Sequence, residues 1–388
     1  MALVLYRKYR PKTFQEVIGQ DHVVKTLQNA LKFGRVSHAY LFTGPRGTGK
    51  TTVARLLGKS VNCAELSGEA GEPLTTRASA KAEGIGGLPV EACNVCIHCK
   101  AFLSGTHPDL IEMDAASNRG IDEIRQLKEG IRMAPVLGRF KTYIVDEAHM
   151  LTKEAFNALL KTLEEPPSHA LFILATTEAA KVPVTIASRC QRFDFKTVPL
   201  ELISERLQKI VTAEGKEVRE EAIELIAQAA EGSFRDAESM LEQVLAFVEG
   251  PVREEDAMAV LGVPDLLVVQ GIAEALAGRD TAAAIAGVNN AIDKGIDAVN
   301  LGTALSSYLR DVLLVAIDPK LSALVSRRVG AAHRASIEAH AQKFSAQALA
   351  FMIPKFVDAL ELIKRSPVPQ LPLELAILEV TQQPDPLA

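Results

Sequence analysis

The sequence lacks a long apolar run, and no stretch approaches the ~20 residues that a membrane-spanning helix needs. It also lacks an apolar signal core at its N-terminus, where Tyr6-Arg7-Lys8-Tyr9-Arg10 stand instead. These two absences argue against a membrane span and a secretory signal. We therefore expect a cytoplasmic location and no membrane partner.

Strong net charge is also missing, because the 388 residues carry a formal charge of only −5 at pH 7. A net charge this small decides nothing about DNA binding by itself, because a protein that is acidic overall can still bind DNA through a local basic surface. Cysteine is scarce, yet four of the five cysteines lie between positions 63 and 99. In a cytosolic protein such crowding indicates a metal site before disulfides. The length is too great for one ordinary core and predicts two or three domains.

Residues 44–51, Gly-Pro-Arg-Gly-Thr-Gly-Lys-Thr, match the phosphate-binding pattern G-x-x-x-x-G-K-S/T at every fixed position. A predicted strand at 38–43 precedes them and a predicted helix at 52–57 follows. The glycines let the backbone fold round an anion, and the freed N–H groups and the helix N-terminus face the phosphates. Lys50 would reach the β- and γ-phosphates, and the Thr51 hydroxyl would ligate Mg²⁺. The alternative is a plain glycine-rich turn.

A second motif follows at Tyr143-Ile144-Val145-Asp146-Glu147-Ala148-His149, where a β-branched strand ends in two carboxylates. Asp146 would help to hold Mg²⁺, and Glu147 could orient and activate the attacking water. His149 is interpreted as a neighbour rather than a catalyst. The predicted strand 170–177 ends in two threonines, which could bond the γ-phosphate or the water, or could simply be β-forming residues.

The N-terminal arm, defined here as residues 5–20, is basic and aromatic, and Pro11 should stop any early helix. It could form a wall for the adenine of a nucleotide bound at residues 44–51. The alternative is a solvated basic arm. A helix is predicted over 21–33, with Asp21 as its N-cap.

Cys93, Cys96 and Cys99 are each separated from the next by two residues, and Cys63 lies upstream beyond a segment with almost no large apolar residues (64–92). Two C-x-x-C steps plus a distant fourth thiol suit a structural tetrahedral Zn²⁺ site. His98 and His107 are possible substitutes for Cys63 as the fourth ligand. The alternative is a set of reduced, unliganded thiols.

Strands and helices alternate to about residue 195, which predicts a parallel sheet with helices on both faces. This part has a further strand at 109–114 and further helices at 121–133 and 156–163. After Pro199 only helices are predicted. They cover 200–213, 221–230, 234–248, 254–261, 265–277, 280–293, 297–316, 319–342, 345–365 and 371–382.

Several motifs stand in one order along the chain: the arm, the phosphate loop, the cysteines, Val145-Asp146-Glu147-Ala148-His149, Leu163-Glu164-Glu165-Pro166-Pro167, Ala175-Thr176-Thr177, Ser188-Arg189-Cys190 and Gly232-Ser233-Phe234-Arg235-Asp236-Ala237. In this order the sequence closely resembles the gamma/tau subunits of bacterial DNA polymerase III, over essentially the whole chain. The resemblance implies an α/β AAA+ fold, with a RecA-like parallel sheet, followed by a helical lid and an all-α collar. The domains would be 1–198, with a zinc-binding insertion at 63–99, then 199–262 and 263–388.

The resemblance also implies site residues. Lys50, Asp146, Glu147 and the sensor Thr177 would be catalytic, together with the second sensor Arg235 and with Arg189, which would act in trans on the next subunit. Cys63, Cys93, Cys96 and Cys99 would bind zinc, and Thr51 and Asp146 would bind magnesium. ATP would be bound by Tyr6, Arg7, Tyr9, Pro11, Ile18, Gly19, Gly44, Pro45, Arg46, Gly47, Thr48, Gly49, Lys50, Thr51 and Thr52.

The activity implied is that of the ATPase motor of the clamp loader, which opens the sliding clamp and loads it on primed DNA in the replisome at the nucleoid. The expected partners are the delta and delta-prime subunits, other copies of this chain, the beta clamp and primed DNA. DNA would be held through its phosphates without sequence reading. The candidate contacts are Arg119, Lys161 and Thr185.

Two features qualify the resemblance. The stretch between Cys63 and Cys93 is longer than usual in the family, and the chain stops near the end of the collar, as in a gamma-length product or a truncated one. Two other functions remain open. A non-hydrolysing structural subunit such as delta-prime would be expected to have a degenerate phosphate loop, and another AAA+ remodelling or branch-migration ATPase would not need the cysteines.

Overall fold

A computed structural model of the chain describes residues 4–64, 90–118, 120, 129–262, 264–325 and 331–382. Arg119, residues 121–128 of the predicted helix 121–133, and most of the predicted excursion 64–92 lie outside these ranges. The chain forms two compact units, residues 1–246 and 247–388, which are described separately. The predicted three-domain division is finer than this and stays a prediction.

The first unit is built on a five-stranded sheet. Its strands are β1 (Ala39–Thr43), β2 (Leu110–Asp114), β3 (Lys141–Asp146), β4 (Ala170–Thr176) and β5 (Gln191–Asp194). The order is β2-β3-β4-β1-β5, and every paired strand runs parallel to its neighbour. The predicted parallel sheet is confirmed, and the carboxyl ends of its strands meet at one edge.

Alternating side chains of β1 point to opposite faces of the sheet, as a strand requires. Tyr40 and Phe42 pack in one cluster with residues of the helices α2 (Asp21–Lys32) and α3 (Lys50–Val61). Leu41 packs in a second cluster with residues of α5 (Lys153–Glu164). Helices therefore cover both faces, as predicted.

The first unit also contains elements that the sequence did not predict. They are α1 (Leu5–Lys8), α4 (Ile97–Ser104), α6 (Val184–Ala187), the strand β5, and the 3₁₀ turns Ala148–Met150 and Ala179–Lys181. One predicted detail is wrong: Gln20, not Asp21, is the N-cap residue of α2, and Asp21 lies in the first turn. An acidic side chain is favourable there too, because the helix dipole is positive at that end.

After Pro199 the described chain is helical, as predicted. The lid helices are α7 (Leu200–Ala213), α8 (Glu220–Ala229) and α9 (Phe234–Phe247). Apolar residues such as Ile203, Leu207 and Ile226 are buried at helical spacing.

The second unit is all helical in its described residues. Its helices are α10 (Glu254–Leu261), α11 (Leu266–Ala277), α12 (Thr281–Asp293), α13 (Ala298–Ile317), α14 (Ser322–Val325), α15 (Ala331–Ala341), α16 (Ala346–Ile363) and α17 (Leu371–Gln382). The helix predicted over 319–342 differs at its start, where residues Pro319–Leu321 form a 3₁₀ turn; Ser322–Val325 and Ala331–Ala341 are helical, and 326–330 lie outside the described ranges.

One apolar cluster with Leu305, Leu309 and Phe356 forms the core of this unit. No single described helix is long and apolar enough to cross a membrane. Only the bent pair Glu254–Leu261 and Leu266–Ala277 reaches that length and composition, and only when the two are joined.

Candidate nucleotide and metal sites

The phosphate loop connects the buried strand β1 to helix α3. Gly44, Gly47 and Gly49 have φ values of +139°, +72° and +100°, which other residues rarely adopt. Gly49 is the N-cap residue of α3, so the helix begins at Lys50 and its unpaired N–H groups face the loop. The local structure therefore offers the anion-binding helix N-terminus that the sequence predicts.

Lys50 lies inside this loop with only 5% of its surface exposed. Its Nζ donates hydrogen bonds to Gly44 O and Pro45 O, both at 2.7 Å. Burial lowers the pKa of Lys50, and the nearby Glu147 and Asp146 oppose that effect. The loop carbonyls therefore hold the ammonium group at the place where phosphate oxygens would replace them.

The end of β3 brings the predicted magnesium ligands together. Thr51 Oγ1 donates to Asp146 Oδ2 at 2.8 Å. The two residues are far apart in sequence, but β1 and β3 both flank β4 and end at the same edge of the sheet. A hydroxyl and a carboxylate oxygen are hard donors of the kind that Mg²⁺ prefers, so the residues present fit this ion.

Glu147 follows in a left-handed conformation, with φ of +47°. Its Oε2 accepts a hydrogen bond from Thr177 Oγ1 at 3.0 Å and lies 3.4 Å from His149 Nδ1. His149 also contacts Thr176 Oγ1 at 3.0 Å and lies 3.3 Å from Glu178 Oε1. The predicted base and the predicted sensor thus touch directly, and His149 links the base to the end of β4.

A cavity of about 1000 Å³ opens over the loop. Most of the predicted nucleotide-site residues line it: Tyr6, Arg7, Pro11, Ile18, Arg46, Gly47, Thr48, Gly49, Lys50, Thr51, Thr52, Asp146, Glu147 and Arg235. The remaining predicted ones, which do not line it, are Tyr9, Gly19, Gly44, Pro45, Thr177 and Arg189. Further basic residues line it as well, namely Arg10, Lys12, Arg55, Lys59 and Arg206. A wall this rich in cations suits a polyphosphate.

The arm and the lid meet at this cavity. The Arg235 guanidinium lies 5.0 Å from the centre of the Tyr6 ring, within the range of a cation–π contact. The hydroxyl of Tyr9 instead donates to Glu214 Oε1 at 2.5 Å. The arm is therefore packed against the lid rather than solvated.

Arg206 and Glu238 of the lid were missed by the sequence reasoning, although both line the cavity. Arg206 Nε donates to Glu238 Oε1 at 3.2 Å, and its Nη2 donates to Tyr9 O. Burial raises the pKa of Glu238 to about 7, against the opposing effect of Arg206. The sequence did contain a signal for Glu238, because this glutamate lies on the apolar stripe of α9 with Ala237 and Leu241, where a charged residue is unusual.

Arg189, the predicted trans-acting residue, does not line the cavity of its own chain. Its Nη2 donates to Glu164 Oε1 at 2.6 Å, and its Nη1 donates to Thr185 O at 2.6 Å. About a third of its side chain is exposed. Lys161 and Thr185, two of the predicted DNA contacts, are also exposed.

The four predicted cysteine ligands come together in space. The sulfur atoms of Cys63, Cys93, Cys96 and Cys99 all lie within 4.8 Å of one another. Backbone N–H groups point at three of them, such as Cys93 N to Cys63 Sγ at 3.4 Å. Such bonds stabilise thiolates, so the group fits a single metal ion.

Of the possible fourth ligands, the structure brings Cys63 to the cluster. His98 and His107 are buried and contact each other instead, with Nδ1 and Nε2 3.0 Å apart. His107 Nδ1 accepts from Asp109 N at 3.1 Å. His98, on α4, and His107 are therefore part of the buried packing around this helix and not of the cysteine cluster.

Three family models match the chain in succession. They are described as DNA polymerase III, delta subunit, over residues 19–199; DNA polymerase III clamp loader subunit, ATPase lid domain, over 202–250; and DNA polymerase III subunits gamma and tau domain III, over 252–388.

Among similar proteins, DNA polymerase III subunit tau of Bacillus subtilis is 41% identical over 97% of this chain and 63% of its own length. The Escherichia coli subunit tau is 40% identical over 81% of this chain and 46% of its own. The chain thus spans about half to two thirds of these relatives. Among solved structures, the Thermotoga maritima RuvB Holliday junction branch migration motor aligns with a TM-score of 0.45 and 20% identity, over 69% of this chain and 78% of that one.

Proposed function

This chain belongs to the family of DNA polymerase III gamma and tau subunits, and we propose that it is the ATP-hydrolysing motor of a clamp loader. The observation that carries this proposal is the contact between the phosphate loop and β3, where Thr51 bonds Asp146 beside Lys50 and Glu147. A structural subunit without hydrolysis would not need this set.

In the proposed reaction Lys50 leaves the carbonyls of Gly44 and Pro45 and binds the β- and γ-phosphates. Mg²⁺, held by Thr51 and Asp146, supplies charge neutralisation at the phosphates when bound. Glu147 Oε2 orients the attacking water and accepts its proton. Thr177, which donates to that same oxygen, controls where the carboxylate points.

The arm and Arg235 close the cavity over the nucleotide, and Arg189 acts on the site of a neighbouring copy. We further propose that the chain assembles with delta and delta-prime subunits and further copies of itself. Nucleotide at the subunit interfaces would then stabilise an arrangement that opens the beta clamp on primed DNA. Lys161 and Thr185 are proposed DNA phosphate contacts, and the site of action is the cytoplasmic replisome at the nucleoid.

The metal at the cysteine cluster is proposed to be Zn²⁺. A tetrahedral ion with Zn–S bonds of about 2.3 Å places its sulfurs about 3.8 Å apart, and Cys93 Sγ and Cys99 Sγ are 3.8 Å apart. Four thiolates close the coordination shell, so this ion would be structural.

The decisive measurement is ATP turnover by the chain assembled with delta, delta-prime and clamp, with and without primed DNA. We expect strong stimulation by DNA plus clamp, and loss of nucleotide binding in Lys50→Ala. The exposed Lys153→Ala is the matched control and should behave as the parent. Unchanged turnover on addition of DNA and clamp, with assembly verified by gel filtration, would contradict a clamp-loading motor.

A further inference from the structure

We propose that the cysteine cluster braces the arm that walls the nucleotide cavity, so that metal binding and nucleotide binding strengthen each other. The inference rests on the proposed function, since it takes ATP as the ligand of the cavity and Zn²⁺ as that of the thiolates. None of the four cysteines lines the cavity. The coupling must therefore run through other residues, and the structure shows three connections.

The first connection is Lys59 on α3, which is 2% exposed. Its Nζ donates to Lys12 O in the arm and to Asn94 Oδ1, between Cys93 and Cys96. A buried ammonium group must keep its hydrogen-bond partners because leaving them unpaired costs several kcal/mol. Lys59 therefore ties the arm to the metal-binding segment.

The second connection is Glu91, two residues before Cys93. Its Oε2 accepts from Phe14 N in the arm at 2.9 Å, and its Oε1 accepts from Gln28 Nε2 on α2 at 3.1 Å. The Phe14 ring is 1% exposed and belongs to the core beside the sheet. One carboxylate thus fixes the arm backbone to the segment that enters the cluster.

The third connection is helix α4. It begins at Ile97 and ends at Ser104, and its N-cap residue is Cys96, whose sulfur accepts a hydrogen bond from Cys99 N. Residues at the other end, among them Leu103, Ser104 and Gly105, line the nucleotide cavity. A metal that fixes the first turn of α4 therefore also positions part of the cavity wall.

The energetic consequence follows from linkage. A bound metal ties Cys63 at the end of α3 to residues 93–99, so Asn94 and Glu91 lose freedom before nucleotide arrives. The arm is then ordered in advance, and ATP binding costs less conformational entropy. By reciprocity, bound nucleotide must strengthen metal binding by the same free energy, and we expect this to slow the loss of metal.

The test uses the full chain and two variants that spare the thiols, Lys59→Met and Glu91→Ala. Lys25→Met and Glu154→Ala, at exposed helix positions, are the matched controls. Zinc content, melting temperature and the Kd for ATP are measured for each protein and for the zinc-depleted parent. Zinc transfer to a colorimetric chelator is then timed with and without ATP.

We expect the Kd for ATP to rise about tenfold in Lys59→Met, in Glu91→Ala and on zinc depletion, with both controls at the parental value. ATP should slow zinc transfer in the parent and do so less in the two variants. If one variant fails to fold, the other variant and the depletion experiment still decide the matter.

The failures of the two proposals are distinguishable. A zinc-loaded parent that does not bind ATP would overturn the proposed function and this inference with it. ATP binding that is equal in the parent, the folded variants and the zinc-depleted chain would overturn the coupling alone.

Discussion

Glu238 shows how a single residue of the lid makes the folded state sensitive to pH. It is 5% exposed, lies against the nucleotide cavity and has Arg206 as its partner. Burial raises its pKa from 4.5 to about 7. Between these values the folded state binds more protons at Glu238 than the unfolded state does, so stability falls as pH rises through this window.

We therefore predict that Glu238→Gln is more stable than the parent at pH 8 and equally stable at pH 4.5. A pKa shift of this size corresponds to about 3 kcal/mol of lost stability in the parent. The full loss is reached above the folded-state pKa, where Glu238 is ionised in both states. Urea unfolding of the first unit, followed across this pH range, checks the prediction. The exposed Glu224→Gln is the control. If the free energies of unfolding of Glu238→Gln and of the parent change with pH in parallel, the prediction is wrong.

At the residue scale, the sequence predicted the groups whose spacing is short and fixed by chemistry. The loop around Lys50 and the C-x-x-C steps belong to this class. The partners of Arg206, Lys59 and Glu91 could not be predicted, because their contacts join residues that only tertiary packing brings together. The clustering of Cys63 with the other cysteines was predicted as one of several alternatives, and the structure selects it.

At the scale of elements, the phosphate loop and the start of α9 are packed without a gap. A Cβ added to Gly47 would lie 1.8 Å from Ser233 Oγ and 3.3 Å from Arg235 Cβ. Any side chain at position 47 would push away the turn that carries Arg235. The loop and the start of α9 can therefore approach each other this closely only because position 47 has no side chain.

We predict that Gly47→Ala weakens ATP binding by roughly 5- to 150-fold, since overpacking costs about 1–3 kcal/mol. Gly34→Ala is the matched control, because its φ of +63° gives similar strain but nothing lies within 4 Å of the added Cβ. Adding Ser233→Ala to Gly47→Ala should recover part of the affinity. Equal Kd values for the two single alanine variants would show that the lid contact is unimportant.

The elements themselves were predicted where apolar periodicity is long. The strands around Leu41 and Ile173 are fully buried and were found. The strand β5 was missed because it is four residues long, lies at the edge of the sheet and buries only Phe193. The 3₁₀ turn Pro319–Leu321 at the start of the predicted helix 319–342 was missed as well, since the Asp318 cap in front of it depends on local geometry.

At the scale of the whole molecule, Arg189 is held away from its own nucleotide cavity by Glu164 and by the carbonyl of Thr185. This position fits a residue that serves a neighbouring subunit. Under the proposed action in trans, the salt bridge to Glu164 would have to open when Arg189 engages the neighbouring subunit. An exposed pair of this kind is worth at most about 1 kcal/mol, so opening it is a small cost.

We predict that Arg189→Ala leaves ATP affinity of the chain unchanged but lowers turnover in assembled complexes by roughly 10³-fold at each site that the variant serves. Mixing the variant with Lys50→Ala chains separates the role of Lys50 in its own site from that of Arg189 in the neighbouring site. Only a site with an intact Lys50 and an intact neighbouring Arg189 should hydrolyse ATP. Normal turnover of complexes built only from Arg189→Ala chains would disprove action in trans.

The family and the order of the domains were predictable at this scale because the motifs keep one order along the chain. The limits of the two compact units could not be predicted from the sequence, since they depend on how helices of similar composition pack.

The order of the strands has a consequence for synthesis on the ribosome. β1 at residues 39–43 lies between β4 and β5, its hydrogen-bonded neighbours, which end at residues 176 and 194. The phosphate loop is therefore translated early but lacks its first neighbouring strand for roughly 130 further residues and its second for roughly 150, which takes on the order of 10–30 s at ~5–20 residues per second. Throughout that time the nascent chain carries a complete phosphate-binding motif without the strands that support it in the folded protein.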